Sequence, residues 1–300
     1  MSKVMKYLLL FLTFLPFAGN AQHVFQSDFQ NFWIMRDSVM SIKEPDKQLD
    51  GVNRLYIDKA SDGLKAFMRN KEGLDHKWLD LIKEYPSFWD SLKMKTPLIQ
   101  NSVKRLEEQI GHFQELYPEL IPAQTYFIIG IRQQGGTVRA NLSLLGVEVV
   151  LADPSTNDDQ LVRMGVHEYV HTQQKRPDFQ KINVLTSSIR EGACDFLSFI
   201  VTGIPVQAPY MAYGQTHERA VWLLFQKEMN TNHNDNWVST GRNPALPAPD
   251  LGYFVGYRIC ETFYNKANDK KAAIKELVNL NYADSNAVND FLLRSGYDGK

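Results

Sequence analysis

From Val24 to about Leu120, apolar residues recur three and four positions apart: Phe25, Phe29, Phe32 and Trp33, then Trp78, Leu81 and Ile82, then Val103, Leu106, Ile110 and Phe113. That spacing lines one face of a helix, so the segment reads as helical. Pro45, Pro86, Pro97 and Pro118 divide it into several helices, because proline lacks the amide hydrogen that a continuing helix needs. No titratable residues group there at ligand spacing, and its Trp and Phe side chains read as core.

The pattern then changes. Thr125 to Ile131 (TYFIIGI) is β-branched and aromatic and runs into Gln133, Gln134, Gly135, Gly136 and Thr137, while Gly146 to Ala152 (GVEVVLA) reads as a second strand, one that offers an edge to an extended ligand. From Asn157, Asp158 and Asp159 favour a helix start, and that helix runs to about Gln174. Further helices are expected from about Ser187 to Thr202, ended by Gly203, and at Glu218 to Met229, Tyr253 to Asn265 and Lys270 to Asn279. Between them, Asn230 to Asp250 is polar and Pro-rich, as in a long surface loop. The fold class expected is α+β, predominantly α-helical: a helical half over 22–120, then a region over 121–300 with a small sheet beside the helix at 157–174.

The first residues, MSKVMKYLLLFLTFLPFAGNAQ, place Lys3 and Lys6 before a ten-residue apolar stretch, with Gly19 and Ala21 behind it. This is the order of a cleavable signal peptide over residues 1–21, implying a periplasmic or extracellular protein. Ten residues rise about 15 Å as a helix, half of a bilayer core, and no later segment approaches twenty uninterrupted apolar residues, so no stable membrane span is expected in the mature chain. At 44% hydrophobic the chain has material for a real core; with 33 basic and 34 acidic side chains and no long basic run, a nucleic-acid partner is not expected. Two cysteines, Cys194 and Cys260, are too few for a disulfide framework; a single bridge and two buried thiols both remain open, and their spacing does not suit a zinc site.

Candidate chemistry is concentrated in His167-Glu168-Tyr169-Val170-His171, which fits H-E-x-x-H. On a helix, His167 and His171 share a face about 6 Å apart along the axis and can both present a ring nitrogen to one metal ion. Glu168, about 100° around, can lie beside that ion and take a proton from water without being a ligand. A third ligand is needed, and Glu191 follows His171 after nineteen intervening residues, enough for a helix end, a loop and a returning helix. Gly165, and Gly192 and Ala193 beside Glu191, would let those two helices approach closely. Asp195, four residues past Glu191, is placed to accept the second N–H of His167 and so fix its tautomer.

HEYVH followed by EGACD resembles the gluzincin, thermolysin-like metallopeptidases, over the thirty-odd residues from His167 to Asp195. With its leader, the Gly-Gly-Thr before the helix and Gly252-Tyr253-Phe254-Val255-Gly256-Tyr257, the chain also resembles a bacterial family of exported zinc-dependent proteases. The resemblance implies a zincin-like fold, one catalytic Zn2+, a peptide or protein substrate, and a Tyr or His donor to the oxyanion downstream of the glutamate. Tyr257 is the leading candidate for that donor, with Tyr253 and His217 as alternates. The Gly-x-Met-Glu-Asn signature of related aminopeptidases is absent, which weakens an exopeptidase reading. Two other functions fit the same residues: a non-catalytic zinc-stabilised binding module, which would have no use for Glu168, and a zinc hydrolase of non-peptide amides or esters.

Overall fold

The structure is a computed structural model that describes residues 22–153, 156–239 and 241–300. The leader expected over residues 1–21 lies outside the described residues.

The helical half contains α1 (Ser27–Met40), α2 (Pro45–Val52), α3 (Asp62–Met68), α4 (Leu74–Glu84), α5 (Pro86–Met94) and α6 (Thr96–Leu116). Pro45, Pro86 and Pro97 each stand in the first turn of a helix, where a missing amide hydrogen costs no hydrogen bond. Its tryptophans and most of its phenylalanines are core, as expected: Phe32, Trp78 and Trp89 are fully buried, as is Tyr56. Two of them also hold the second half in place. The Tyr56 hydroxyl donates to the carbonyl of Ile129 at 2.7 Å, and Trp78 Nε1 donates to that of Gly130 at 2.6 Å.

The sheet is made of β1 (Val24–Phe25), β2 (Gln124–Ile128), β3 (Gly136–Arg139) and β4 (Leu142–Gly146), in the order β1-β2-β4-β3. β2 runs parallel to both neighbours, and β3 closes antiparallel onto β4. Between two strands, β2 is buried along Thr125 to Ile128, which is why TYFI reads as a continuous β-favouring run.

The expected strand over Gly146 to Ala152 is not formed. Its sequence gives α7 (Val147–Val150), and the pairing strand is β4, just before it. The cause is a buried carboxylate. Turned into a helix, the segment brings Glu148 under the chain leaving β2, where its Oε1 accepts the amides of Gly130 and Arg132 at 2.9 and 3.1 Å. Local β propensity gives way to that tertiary contact. The edge of the sheet beside β4 is therefore β3, over residues for which no separate strand is expected.

Five helices follow on one another after Asn157: α8 (Asp158–Gln173), α9 (Val184–Thr202), α10 (Pro209–Glu228), α11 (Leu251–Lys266) and α12 (Lys270–Asn279), with α13 (Ser285–Ser295) closing the chain. The side chains of Asn157 and Asn183 cap α8 and α9 by accepting amide hydrogens of their first turns. α10 starts nine residues earlier than expected and bends at His217. The polar stretch after Asn230 is pinned: Glu228 accepts hydrogen bonds from Trp237, Asn236 and Asn243, and Trp237 is fully buried.

α8 lies between α6, α9 and strands β3 and β4. Arg105 of α6 pairs with Asp158, at 2.7 Å, and with Asp159 in the first turn of α8, fixing the helix end where acidic side chains also suit the backbone dipole. One continuous apolar core runs from Val24 to Tyr297. No helix of the described residues is long and apolar enough to cross a membrane.

Candidate metal centre

α8 presents His167, Glu168 and His171 at the floor of a cleft of about 750 Å³, each less than a tenth exposed. The cleft is bounded by β3 on one side and by α9 and the start of α11 on the other. His167 and His171 lie one turn apart with ring centroids 4.9 Å from each other.

What occupies each Nδ1 decides where the other nitrogen points. His167 Nδ1 is 2.9 Å from Asp195 Oδ1, an oxygen that also accepts from Arg163 at 3.0 Å, while Asp195 Oδ2 accepts from the Tyr210 hydroxyl at 2.7 Å. His171 Nδ1 is 2.9 Å from Gln174 Oε1. The Gln174 amide nitrogen donates to the Arg190 carbonyl at 3.1 Å, so its oxygen faces the ring and the ring nitrogen must donate. Both imidazoles therefore carry hydrogen on Nδ1, which leaves Nε2 as the nitrogen turned toward the cleft. Asp195 was legible from its spacing; Gln174, three residues past His171 at the helix end, was not singled out, although a polar amide one turn on was the available signal.

The two Nε2 atoms converge on Glu191. Its Oε2 lies 3.0 Å from His171 Nε2 and 3.5 Å from His167 Nε2, and its Oε1 accepts from Arg190 at 2.8 Å. Ligands about 2.0–2.1 Å from a tetrahedral zinc ion stand about 3.3 Å apart, so the observed separations bracket what such an ion requires. The electrostatics favour a cation here. Burial alone would raise the Glu191 pKa, but His171, His167 and Arg190 override it and hold the carboxyl well below its usual range. Burial likewise works against a charged His167, yet its hydrogen bonds to Asp195 and Glu191 push its pKa up to about 10.

Cys194 adds a donor that sequence reading set aside. His167, His171 and Cys194 bring ligand atoms within 4.8 Å of one another, forming a buried His/His/Cys cluster able to hold a metal ion. The Cys194 sulfur is 3.1 Å from His171 Nδ1, and the residue is fully buried. Burial, reinforced by Glu191, pushes its thiol well above the ordinary value. Both cysteines are free thiols; no disulfide joins Cys194 to Cys260.

Glu168 stands apart from these donors. It lines the cleft, none of the described groups hydrogen-bonds its carboxylate, and burial raises its pKa against the opposing charge of His167 and His171. β3 passes directly against it: a Cβ on Gly136 would fall 2.1 Å from Glu168 Oε1, so any side chain there must displace the carboxylate or the strand.

The close helix approach expected beside Glu191 exists, but with another partner. Gly192 meets Gly256 of α11, where an added Cβ would lie 2.1 Å from the Gly256 carbonyl carbon, and Gly165 meets Leu106 of α6. This crossing decides which tyrosine faces the cleft. Tyr257 sits at the crossing itself, its ring edge-on to Phe196 of α9 at 5.4 Å, and it is not among the cleft residues. Tyr253, one turn earlier, lines the cleft, with its ring nearly parallel to that of His167 at 6.4 Å. His217 is exposed, stacked on Tyr213, and outside the cleft.

Compared with protein-family models, with curated proteins and with solved structures, the chain matches none. What the geometry itself establishes is a His-Glu-x-x-His helix whose two histidines join Cys194 in a cluster able to bind a metal, an arrangement consistent with a zincin-type site.

Proposed function

We propose that the chain is an exported zinc-dependent peptidase of the gluzincin type, with His167, His171 and Glu191 as metal ligands. The observation that carries this reading is the separation of roles within one cleft: two Nε2 atoms and one carboxylate oxygen converge, while a second carboxylate, Glu168, stands beside them and joins no hydrogen bond among the described residues. A site that only holds a fold together has no use for that second group.

A zinc ion on these donors would supply Lewis acidity, acidifying water and drawing charge from a carbonyl. Glu168 takes the proton of the attacking water at a carboxylate oxygen whose basicity burial has raised, and returns it to the departing amine. Tyr253, rather than Tyr257, donates a hydroxyl hydrogen to the oxyanion, since it is the tyrosine of this helix that lines the cleft. Asp195 and Gln174 keep both imidazoles in the tautomer that leaves Nε2 free. The half-exposed edge β3, beside Glu168, is the strand on which an extended peptide pairs.

One observation favours a second reading: Cys194 beside His171 would complete a closed, structural His/His/Cys site. That set needs His171 to bind through Nδ1, breaking its bond to Gln174, and a thiol that burial holds protonated. The purified protein decides between them. On the catalytic reading it holds one zinc per chain and cleaves members of a mixed peptide library, Glu191→Ala loses the zinc and Cys194→Ser keeps it. Zinc retained by Glu191→Ala and lost by Cys194→Ser would establish the structural site, and zinc binding with no cleavage would remove the peptidase reading.

A further inference from the structure

The charge of the cleft differs from that of the chain. Over all 300 residues the formal charge is -1, yet apart from Glu168 and Glu191, which face the metal donors, every charged side chain lining the cleft is an arginine: Arg69, Arg139, Arg176 and Arg190. Arg190 is already paired with Glu191. The other three have no carboxylate partner among the described residues. Arg139 donates to Thr137 Oγ1 and to the Val138 carbonyl of its own strand, Arg176 lies over the Phe179 ring at 5.4 Å, and Arg69 is exposed at the end of α3. Lys71 adds to the same end, its pKa lowered by burial and then by the positive charge of Arg139.

Three unpaired guanidinium groups around one cleft repel one another and raise the local concentration of anions. The planar fork of each matches a carboxylate through two parallel hydrogen bonds. β3 sets the spacing. Arg139 is three residues from Gly136, which touches Glu168, so at about 3.3 Å per residue its backbone lies about 10 Å along the edge from the base.

Resting on the peptidase reading, we propose that the cleft selects peptides bearing a carboxylate two to four residues from the bond cleaved, read by Arg69 and Arg139 at the strand end and by Arg176 in the loop after α8. The carboxylate belongs either to an acidic side chain or to the end of the peptide, and the chemistry of recognition is the same for both.

The test uses zinc-loaded full-length Glu168→Gln protein, which binds without cleaving, and three fluorescent octapeptides of one sequence: Glu at an internal position with an amidated end, Gln there with an amidated end, and Gln there with a free carboxyl end. The first or the third is expected to bind at least about tenfold tighter than the second, and which one does so identifies the source of the carboxylate. The preference should shrink in 0.5 M salt and vanish when Arg69→Gln and Arg139→Gln are combined, with Arg176→Gln as an independent variant; all three side chains lack partners in other elements except the Phe179 ring, so the variants should melt like the parent. Equal binding of the three peptides, or a preference that survives all three substitutions, overturns the inference. So does tighter binding of a single-stranded oligonucleotide than of the acidic peptide. Hydrolysis of neutral peptides by the parent protein alongside equal binding leaves the peptidase reading standing and this inference fallen. Carboxylate-selective binding with no hydrolysis by the parent defeats the peptidase reading and upholds the recognition.

Discussion

His167 and His171 are held by acceptors of different strength, a buried carboxylate for one and a neutral amide for the other. Asp195 keeps its charge because His167, Arg163 and Tyr210 outweigh the burial that would otherwise raise its pKa. The charged acceptor raises the basicity of His167. Across the cleft, Tyr253 offers a hydroxyl that forms no hydrogen bond with the described residues, and burial raises its pKa well above the ordinary value, so it remains a donor throughout the working pH range. Tyr253→Phe should therefore lower turnover by on the order of a hundredfold at unchanged zinc content, whereas Tyr257→Phe should change turnover less than about threefold. Steady-state rates of the two variants, with zinc measured in each, check this; the opposite ranking would return the donor role to Tyr257. The residues legible in the sequence were those tied to one another by helical period, namely His167 with His171 and Glu191 with Asp195. Tyr253 and Tyr257 share a period too. What separates them is the level at which Gly192 meets Gly256, a distance between helices that no spacing within one helix contains.

At the scale of elements, the site depends on a short edge strand lying almost on Glu168, the proposed base. Gly136 leaves room for Glu168 where any side chain would overlap it. Gly136→Ala should displace either β3 or the Glu168 carboxylate by an ångström or so, and misplacement of that size costs about a hundredfold in rate. Zinc content should hold, because the proposed ligands reside on α8 and α9. Peptide hydrolysis measured beside metal content checks the expectation, and full activity would show that β3 does not position the base. This strand was hidden in the sequence. Gly136 to Arg139 opens on a glycine and holds only two β-branched residues, Thr137 and Val138, while the neighbouring VEVV, rich in valine, was the better strand candidate until Glu148 found its partners in the chain after β2. α8 and α9 were legible for the opposite reason: Asn157 with the acidic first turn marks the start of α8, and Gly203 marks the end of α9.

For the molecule as a whole, Glu148 links stability to pH. It is 1% exposed, its Oε2 has no hydrogen-bond partner, and burial, despite the Gly130 amide, lifts its pKa from 4.5 to about 7. The folded chain then binds this proton more tightly than the unfolded chain, so stability falls as pH rises from about 4.5 to about 7, by up to about 3 kcal/mol, and the loss stays in place above that. Glu148→Gln keeps an acceptor for both amides without the charge. Denaturant titrations should find the variant more stable than the parent at pH 8 and no more stable at pH 4; a variant less stable at pH 8 would show that the ionised carboxylate is favoured in the fold.

The central claim, that this cleft performs chemistry and is not merely held together by a metal, is tested most directly by Glu168→Gln. The substitution keeps the length of the side chain and removes only its capacity to take a proton. Zinc content and melting temperature should remain at the parent values while peptide hydrolysis falls by at least about a hundredfold. Loss of the zinc would make Glu168 part of the metal-holding structure, and hydrolysis at the parent rate would contradict its role as the base.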